Sequence, residues 1–552
     1  MAINSTFNQV IMQKYITILF ISASTLLLGQ QDSTKLNIKQ VEVVKSFEAE
    51  LEQANMVVVK PVMPTQPAFK PEYKYDITIV PYDFKAPDPR IKPLAMNPDG
   101  PFIVKKGFVH AGYGLRKNPD FTAGYNLALK DKYDAGIMLH YDALDNSAKN
   151  PFQKYSNFGL DIYGNYLIKE NLKVFGDINI GNKARNFYHT DLGVDTLFTD
   201  ASAQRKINAY SIKAGIGNVE ETKLGINYNM SMTLRNLNLT NENVRDNGIS
   251  LAAHFDKQYS TSTVLGVKAS YDYSAYNAIK DLSLNTLCLR PFIKTKISNV
   301  LIEGGIHWLS SNDGNSSFFP EIMVSYGLAG QKLMVFAGLQ QNYFTNNFTN
   351  ISKINPWVST KIDSLQNTVF QDYYGGIKGK FAFISYQAKA GYKNVNQQMF
   401  LLNDTTDLTK FDMLYDDLGV VYISGNVEFE FSENIKLGGW LTQNIYKLDK
   451  LPKAWHTPNL EGNAYATWSL LERKLNLKSD LYFGNGVAYL DKNNVIGQSN
   501  VLFDLNFGAE YQVSTWLSVY AKAINVLDNK FQRWYGYPSV GINGMLGAKL
   551  VF

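Results

Sequence analysis

The sequence has a single cysteine, Cys288, in 552 residues. One cysteine excludes an intramolecular disulfide framework and any cluster of thiolate metal ligands. Histidine is also scarce: the 6 histidines lie at positions 110, 140, 189, 254, 307 and 456, and they never pair at the spacing of metal ligands. Walker, Rossmann and nucleophile-elbow motifs are absent. The sequence therefore predicts no catalytic residue, no metal site and no cofactor, so the chain is not expected to be an enzyme.

Long apolar runs and a strong net charge are lacking too. The run from Tyr15 to Leu28, YITILFISASTLLL, is shorter than the roughly 20 residues of a membrane-spanning helix. It follows Lys14 and precedes the polar stretch GQQDS, which is typical of a secretory signal peptide over residues 1–30. No later segment is long and apolar enough for a membrane helix. The net charge of +5 is spread along the chain, which argues against a nucleic-acid partner.

Proline is unevenly distributed. Ten of the 18 prolines lie between Pro61 and Pro101. Proline at this density disfavours helices and central strands, so residues 31–101 are predicted to form an extended periplasmic arm. We interpret this arm as a spacer.

What the sequence has in abundance is alternation. The stretch 158–168, FGLDIYGNYLI, places Phe158, Leu160 and Ile162 on one face and Asp161 and Asn165 on the other. The stretches 265–273, 475–483 and 501–511 follow the same rule. Alternation with a period of two is typical of β-strands with two different environments. Because the second face is repeatedly charged, a soluble β-sandwich core is excluded.

Residues 102–552 contain 22 such stretches, and we predict an all-β fold, a closed antiparallel transmembrane β-barrel of about 22 strands. A bilayer leaves no unpaired backbone, which requires a closed sheet. The predicted strands start near residues 104, 120, 132, 154, 170, 206, 221, 246, 261, 283, 299, 316, 330, 367, 382, 416, 432, 460, 472, 499, 515 and 537.

The connections alternate in length. Those after even-numbered strands are tight, whereas long loops are predicted at 182–205, 342–366, 393–415, 447–459 and 485–498. Short turns on one side and long loops on the other are typical of outer-membrane barrels, with both termini periplasmic. Pro291 lies within the tenth predicted strand, where it removes a ladder hydrogen bond unless a bulge absorbs it.

The interior and the loops leave function open. Six charged residues are predicted to face the lumen: Asp161, Asp177, Lys478, Asp504, Glu510 and Lys549. They define either a permeation path or ordinary lumen solvation, and we favour solvation. Cys288 is predicted to point inward as a small filler. The loop regions 183–206 and 342–374 mix aromatic, amide and charged residues, which suits binding of sugars, peptides or a protein partner, and equally suits loops without a ligand.

The chain ends on a strand with an aromatic last residue. Leu546, Leu550 and Phe552 lie on one face of that strand. We interpret these three residues as a signal for outer-membrane assembly, with Phe552 closing the last strand against the first.

The preceding residues carry a resemblance. Asn525, Asp528 and Phe531 lie in the stretch NVLDNKF, and a turn with Gly536, Tyr537, Pro538 and Gly541 follows. The tripeptide Asn-Pro-Trp at 355–357 lies in a long loop. These motifs resemble the carboxy-terminal end and a loop element of TonB-dependent receptor barrels. The resemblance implies a 22-stranded outer-membrane barrel that takes up a bulky solute, with outer-membrane lipid, a TonB system or a surface lipoprotein as partners.

One departure from that family bears on function. Its members carry a folded plug before the barrel, whereas about 70 residues precede the first predicted strand here once the signal peptide is removed. The chain therefore resembles plug-less relatives, and VEVV at 41–44 is only a weak match to a TonB-contact sequence. The arm, the long loops or another protein must then fill the lumen. The alternative function is a non-transporting structural subunit of an outer-membrane assembly or secretion complex.

Overall fold

The computed structural model describes residues 105–129, 132–168, 171–190, 198–199, 202–330, 332–404 and 406–552. The signal peptide, the proline-rich arm and the VEVV segment lie outside these residues, so they stay predictions. The described residues form 24 β-strands and one α-helix.

The strands are β1 (Gly107–Gly114), β2 (Asn118–Leu129), β3 (Tyr133–Asp145), β4 (Lys154–Ile168), β5 (Leu172–Asn186), β6 (Gln204–Asn218), β7 (Ile226–Leu239), β8 (Val244–Ser260), β9 (Thr263–Asn277), β10 (Leu282–Ile297), β11 (Val300–Ser311), β12 (Ser316–Gly327), β13 (Met334–Thr345), β14 (Asn367–Phe381), β15 (Ile384–Asn403), β16 (Phe411–Ser432), β17 (Ile435–Leu448), β18 (Leu460–Leu470), β19 (Leu475–Gly484), β20 (Ala488–Leu490), β21 (Ile496–Gln498), β22 (Leu502–Gln512), β23 (Leu517–Ile524) and β24 (Asn543–Val551); the helix α1 is Phe348–Ile354.

Twenty-two of the strands form one antiparallel ring. Each strand pairs with its neighbours along the chain, and β24 pairs back onto β1 from Phe108 opposite Val551 to Gly114 opposite Met545. The remaining two strands, β20 and β21, form a small hairpin of their own. The predicted closed barrel is confirmed, and each of the 22 predicted strands starts within six residues of an observed one.

The connections lie at two ends of the barrel. Those at 187–203, 346–366, 404–410, 449–459, 485–501 and 525–542 are long and share one end, the long-loop end. The opposite end, the short-turn end, includes the turns at 261–262, 298–299, 382–383 and 433–434. The predicted loop at 393–415 is shorter than expected because β15 and β16 extend into it. Val395 and Phe400 lie in this extension and are buried.

The two faces of the ring differ in chemistry. Ile162, Ile178 and Ile212 lie opposite one another on β4, β5 and β6, and each is exposed on the outer face. Trp468 and Trp516 are exposed near the short-turn end, where interfacial aromatic residues occur in outer-membrane barrels. The alternation read from the sequence therefore separates an outer apolar belt from an inner polar wall.

Pro291 is accommodated without a bulge. The ladder between β10 and β11 pairs Leu289 with Trp308 and then Phe292 with Gly305. The register is the same on both sides of this gap, so the ladder is interrupted and not shifted. An added Cβ at Gly305 would lie 2.6 Å from the carbonyl oxygen of Pro291, so glycine permits the close approach of the two strands here.

The helix found among the described residues lies in the connection between β13 and β14. Asn347 caps α1, since its side chain accepts the N–H of Asn350. Within the described part of the chain, no helix has the length and apolar character needed to span a membrane.

Candidate functional site at the long-loop end

The connection 525–542, here called the C-terminal loop, is closed by two side chains. The Asn525 amide nitrogen donates to the carbonyl oxygens of Asn529 and Val540 at 2.8 and 2.9 Å. The Asp528 carboxylate accepts the N–H of Ile542 at 2.8 Å, and this bond holds the pKa of Asp528 below its ordinary value. Asn525 and Asp528 have φ angles of 48° and 49°, a region that Asn and Asp tolerate best among non-glycine residues.

The middle of the C-terminal loop approaches the connection between β5 and β6. Phe531 accepts the N–H of Ser539 at 2.8 Å, and Gly536 accepts the N–H of Thr190 at 3.0 Å. Gly536 has φ +79°, and a Cβ there would lie 2.0 Å from Nε2 of His189. Both the backbone conformation and the close approach of the imidazole therefore require glycine.

Tyr537 and Pro538 link the C-terminal loop to two further connections by hydrogen bonds. Tyr537 is buried and donates its hydroxyl to the carbonyl oxygen of Thr409 at 2.6 Å. The Pro538 carbonyl oxygen accepts from Gln153 Nε2 at 3.0 Å and from the Tyr188 hydroxyl at 3.3 Å. One loop is thus tied to the connections β3–β4, β5–β6 and β15–β16.

The Asn-Pro-Trp element meets the C-terminal loop. Asn355 is fully buried, and its side chain accepts the N–H of Trp357 at 2.8 Å. The Trp357 indole stacks on the Tyr537 ring, with centroids 3.9 Å apart and planes 21° apart. Its N–H donates to the carbonyl oxygen of Asn186 at 2.9 Å, which links it to the end of β5. The two motifs that the sequence singled out are therefore in direct contact.

This contact crosses the barrel mouth. Trp357 belongs to the connection β13–β14 and Tyr537 to the connection β23–β24, and eight strands lie between these connections on the shorter way around the ring. Loops from such distant points can meet only by extending inward over the opening. We call the buried residues of these loops and their supporting strands the loop core. Its members include Ile207, Leu237, Leu239, Val244, Tyr276, Leu284, Phe348, Ile351, Val358, Ile362, Leu365, Met399, Leu401, Phe411 and Tyr537.

A buried ion pair supports the loop core from the wall. Arg205 of β6 is 1% exposed, and its Nη2 donates to the Glu242 carboxylate at 2.8 Å. Its Nη1 donates to the carbonyl oxygens of Pro356 and Val358 at 2.8 and 2.7 Å. Removing either partner would leave a buried charge without compensation, so this pair fixes where the Asn-Pro-Trp element sits.

Helix α1 is fixed in a similar way. The Asp246 carboxylate on β8 accepts both the N–H and the hydroxyl of Thr349 at 2.7 Å. Tyr276 on β9 packs against Phe348 and donates its hydroxyl to the carbonyl oxygen of Thr360 at 2.7 Å. The inner faces of β8 and β9 thus bind the helix through both polar and apolar contacts.

His456 of the connection β17–β18 is the titratable group at the centre of the loop core. Its Nδ1 lies 2.8 Å from the carbonyl oxygen of Leu401, and its Nε2 accepts the N–H of Tyr535 at 3.3 Å. Its ring also contacts Phe411 and Trp534. Burial lowers the pKa of His456 to about 4, so the imidazole is neutral at pH 7 with its proton on Nδ1.

Comparison with known proteins shows which solved structures share this architecture. No protein-family model matches the sequence, and no curated protein matches it. Among solved structures, the chain is similar to the FrpB iron transporter from Neisseria meningitidis, with 9% identity, a TM-score of 0.64 and 81% of each chain covered. It is also similar to the pyoverdine outer-membrane receptor FpvA from Pseudomonas aeruginosa, with 11% identity, a TM-score of 0.60, and 81% of this chain and 78% of that chain covered.

A variant of the ferric enterobactin receptor PfeA from Pseudomonas aeruginosa matches with 10% identity and a TM-score of 0.59, covering 81% of this chain and 80% of that chain. The barrel has the fold of outer-membrane iron and siderophore receptors. The resemblance drawn from the carboxy-terminal residues is thereby confirmed at the level of the fold.

In both loop regions predicted to suit a ligand, several aromatic side chains are used for packing, whereas Phe344 and Tyr373 are exposed. Phe187 and Phe348 are buried, and Tyr188 contacts Trp357 and Tyr537 edge to face. These rings are part of the loop core and are not presented to solvent as a binding platform.

A more open site lies beside them. A cavity of about 480 Å³ separates the end of β17 from the β20–β21 hairpin, and its lining includes Gln443, Asn444, Tyr446, Asn485 and Gln498. Lys453 also lines the cavity, and together these amide, phenol and ammonium groups suit a polar ligand that carries hydroxyl groups.

The six charged residues predicted for the lumen lie on the inner face of their strands. Glu510 and Lys549 form an ion pair at 3.6 Å, and Asp161 lies 3.8 Å from His140. All four side chains are about one-third exposed or more. Asp177, Lys478 and Asp504 share the inner face with them by the alternation of β5, β19 and β22. The inner wall is therefore polar and accessible to water.

Cys288 is buried on the inner face, as predicted, although it does more than fill space. Its Sγ lies 3.0 Å from Nε2 of His307, and His307 Nδ1 lies 3.6 Å from the Glu321 carboxylate. His254 lies in β8 and His307 in β11. No group of three His, Cys, Asp or Glu side chains suited to a metal ion occurs in the described ranges.

The sequence did not single out Arg205, Asp246 or His456. Arg205 and Asp246 each lie between two polar residues and His456 precedes a threonine, so their sequence neighbours are those of ordinary exposed side chains. These residues are buried because loops that are distant in sequence cover them, so their role in supporting the loop core is visible only in the folded structure.

Proposed function

We propose that this chain is an outer-membrane barrel that takes up a bulky solute with help from a partner protein. The observation that carries the proposal is a polar, water-accessible inner wall beneath a cap of folded loops. A ring of 22 strands encloses a lumen too wide for side chains to fill, so passage depends on what covers it. The cap consists of connections and not of barrel strands, so it can move without breaking the ring.

The amide-lined cavity beside β17 supports a ligand entry site at the long-loop end. Gln443, Asn444 and Asn485 supply donors and acceptors, and Tyr446 supplies an aromatic surface. We expect a polar solute that carries hydroxyl groups, such as a saccharide, to contact these residues before the cap opens. The proteins of similar fold are named an iron transporter and a pyoverdine receptor. At 9% and 11% identity, these names do not identify the ligand of this chain.

The proposed orientation puts the long-loop end outside the cell and both termini in the periplasm. Labelling of single cysteines tests it, because Cys288 is the only native thiol. In a Cys288→Ser background, Asn493→Cys marks the β20–β21 hairpin and Glu433→Cys marks a short turn. We expect a membrane-impermeant maleimide to label Asn493→Cys on intact cells and Glu433→Cys only after the outer membrane is permeabilised. The reverse pattern would refute the orientation.

The alternative function is a structural subunit of an assembly or secretion complex. The specific observation in its favour is the extent of packing in the loop core, where the Arg205–Glu242 pair and the Trp357–Tyr537 stack hold the cap shut through side chains of the chain itself. A barrel that never opens would have the same contacts.

Purification from the native outer membrane in mild detergent, followed by mass spectrometry, separates the two functions. Recovery of TonB-system components or a surface lipoprotein supports uptake. Constant recovery of assembly or secretion subunits, with neither of those partners, would refute uptake in favour of the structural role.

A further inference from the structure

A row of polar side chains crosses five neighbouring strands near the long-loop end. Its members stand directly opposite one another from β5 to β9, and they are Asn182, Asn208, Asn238, Arg245 and Asn277. Directly opposed residues of an antiparallel ladder point to the same face. The five side chains therefore form one continuous surface, here called the asparagine row.

The asparagine row faces outward. The residues that alternate with it, including Ile207, Leu237, Val244 and Tyr276, are buried and belong to the loop core. Their neighbours must consequently point away from the loop core, and Asn182, Arg245 and Asn277 are exposed. At this level, the strands carry the cap on their inner face and amides on their outer face.

The apolar belt begins directly below the row. Tyr210 lies two residues further along β6 and is 43% exposed, followed by Ile212 at 53%. Leu234 on β7 and Ile249 on β8 continue this apolar surface. The asparagine row thus lies at the border where acyl chains give way to polar headgroups.

Some side chains of the row form hydrogen bonds within the protein, and others are exposed and can contact a ligand. Asn208 Nδ2 donates to the Thr240 hydroxyl at 2.9 Å, and Asn277 Nδ2 donates to the Asp281 carboxylate at 3.2 Å. Arg245 and the neighbouring Lys206 are exposed on the same outer face. Among the described residues, neither cation has an ion-pair partner within 4.0 Å, and the surface stays net positive when the Asp281 carboxylate at the β9 end of the row is counted against Lys206 and Arg245.

We propose that the asparagine row binds the sugar-phosphate headgroup of a phosphorylated outer-leaflet glycolipid. Amide groups pair with sugar hydroxyls, and Arg245 and Lys206 pair with phosphate. The acyl chains of the same lipid lie on the apolar belt below. A protein partner fits less well, because protein interfaces are enriched in aromatic residues and the row contains none. The inference rests on the proposed orientation, in which this end faces outward.

Native mass spectrometry of the detergent-solubilised barrel tests the proposal with three added lipids. These are bisphosphorylated lipid A, the same lipid A after removal of its phosphates, and phosphatidylglycerol. We expect the barrel to retain the first lipid, and to retain the second and third at least about tenfold less. Equal retention of phosphatidylglycerol would show attraction by charge alone and overturn the glycolipid assignment, as would retention of none.

Substitutions locate the site. The double variant Lys206→Gln with Arg245→Gln should lower retention of bisphosphorylated lipid A by about tenfold or more, since each charge-assisted bond to phosphate contributes well over 1 kcal/mol. Lys447→Gln is the matched control, because Lys447 is an exposed residue on the outer face of β17, and eight strands separate β17 from the β8 strand of Arg245. An equal loss in this control would overturn the site.

The experiments can refute the proposed orientation and the proposed lipid site independently of each other. Lipid A retained through Arg245 and Lys206, together with cysteine labelling that puts the long-loop end in the periplasm, would refute the orientation and leave the binding chemistry standing. Outward labelling without lipid A retention would refute the lipid site and leave the orientation intact.

Discussion

At the scale of single residues, the loop core depends on a few side chains that reach across the barrel mouth. Trp357 makes two such contacts, since it stacks on Tyr537 and donates a hydrogen bond to Asn186. Gly536 permits the approach of His189, and His456 stays neutral in an apolar setting. Each of these features leads to a measurable consequence.

Replacement of Trp357 by alanine should loosen the cap. Loss of the stack and of the indole hydrogen bond should lower the stability of the loop core by about 3 kcal/mol, the lower end of the range for buried aromatic side chains. Hydrogen exchange of the amides in 187–190 and 534–538 measures this loss. Trp516→Ala is the control, because Trp516 is 54% exposed near the opposite end. Unchanged exchange in the Trp357 variant would contradict the assigned role.

Gly536→Ala should also destabilise the loop core, for two separable reasons. The φ angle of +79° costs an alanine about 1 kcal/mol or more, and the new Cβ would displace His189. Gly314→Ala isolates the first cost, because Gly314 has φ +89° and open space around the added Cβ. We expect the Gly536 variant to lose clearly more protection from hydrogen exchange. Equal losses would mean that the contact with His189 is unimportant.

Acid should open the cap through His456. Its pKa is about 4 when folded and near 6.5 when the loops are open, so the open state binds more protons between these values. The contribution to stability is constant above pH 6.5, falls as the pH drops from 6.5 to 4, and amounts to about 3 kcal/mol in total. Amide exchange measured across this range should show the fall. His456→Gln should flatten it, and an unchanged slope in that variant would assign the effect to another group.

At the scale of elements, the strands were predictable because their two faces meet different surroundings. The alternation of Leu160, Asp161 and Ile162 indicates lipid on one side of the strand and water on the other. It does not depend on the conformation of the loops. The sequence did not predict the extension of β15 and β16, because this contrast between the two faces is lost there. Val395 and Phe400 pack there in a second apolar cluster with Leu418 and Trp455, so the polar inner face that identifies a strand in the membrane is absent.

The candidate site was only partly predictable. Resemblance singled out Tyr537 and the Asn-Pro-Trp element, but their contact joins residues from two distant loops and has no local signature. Arg205 illustrates the limit best. In the sequence it is a cation between Gln204 and Lys206, which suggests an exposed site, and its burial depends on a loop that follows about 150 residues later.

The last strand yields a prediction of its own. The Phe552 N–H and carbonyl oxygen bond to Gly107 at 2.9 and 2.8 Å, and the ring packs near Tyr125. If Leu546, Leu550 and Phe552 form the assembly signal, Phe552→Ala should reduce the amount of folded barrel in the outer membrane several-fold. Heat-modifiable migration on gels measures it. Phe381→Ala is the control, since Phe381 is 56% exposed against 58% for Phe552. Equal reductions would exclude a specific signal.

At the scale of the whole molecule, the barrel combines a continuous wall with a cap made from its own connections. The wall is held by backbone ladders, and the cap by side chains at a small number of points. The loops therefore answer part of the question of what fills the lumen, since they cover the long-loop end. Whether the arm also enters the lumen concerns residues outside the described ranges.

Opening the cap should convert a closed barrel into a wide pore. The double variant Trp357→Ala with Tyr537→Ala removes both rings of the stack and leaves the ladders intact. In planar bilayers we expect long-lived, large conductance steps from this variant and rare or small ones from the native protein. Trp516→Ala serves again as the control. Native-sized conductance in the double variant would show that something other than the loops closes the lumen.

The ring also sets an order of events during biogenesis. Every ladder except one joins strands that follow each other along the chain, so those pairings form through short-range encounters. The exception joins β1 to β24, the first and last strands of the ring. Until β24 has been exported and has met β1, the wall has two unpaired edges. The cylinder can therefore be completed only when all 22 strands have crossed into the periplasm, and this ladder is the last of the ring to form.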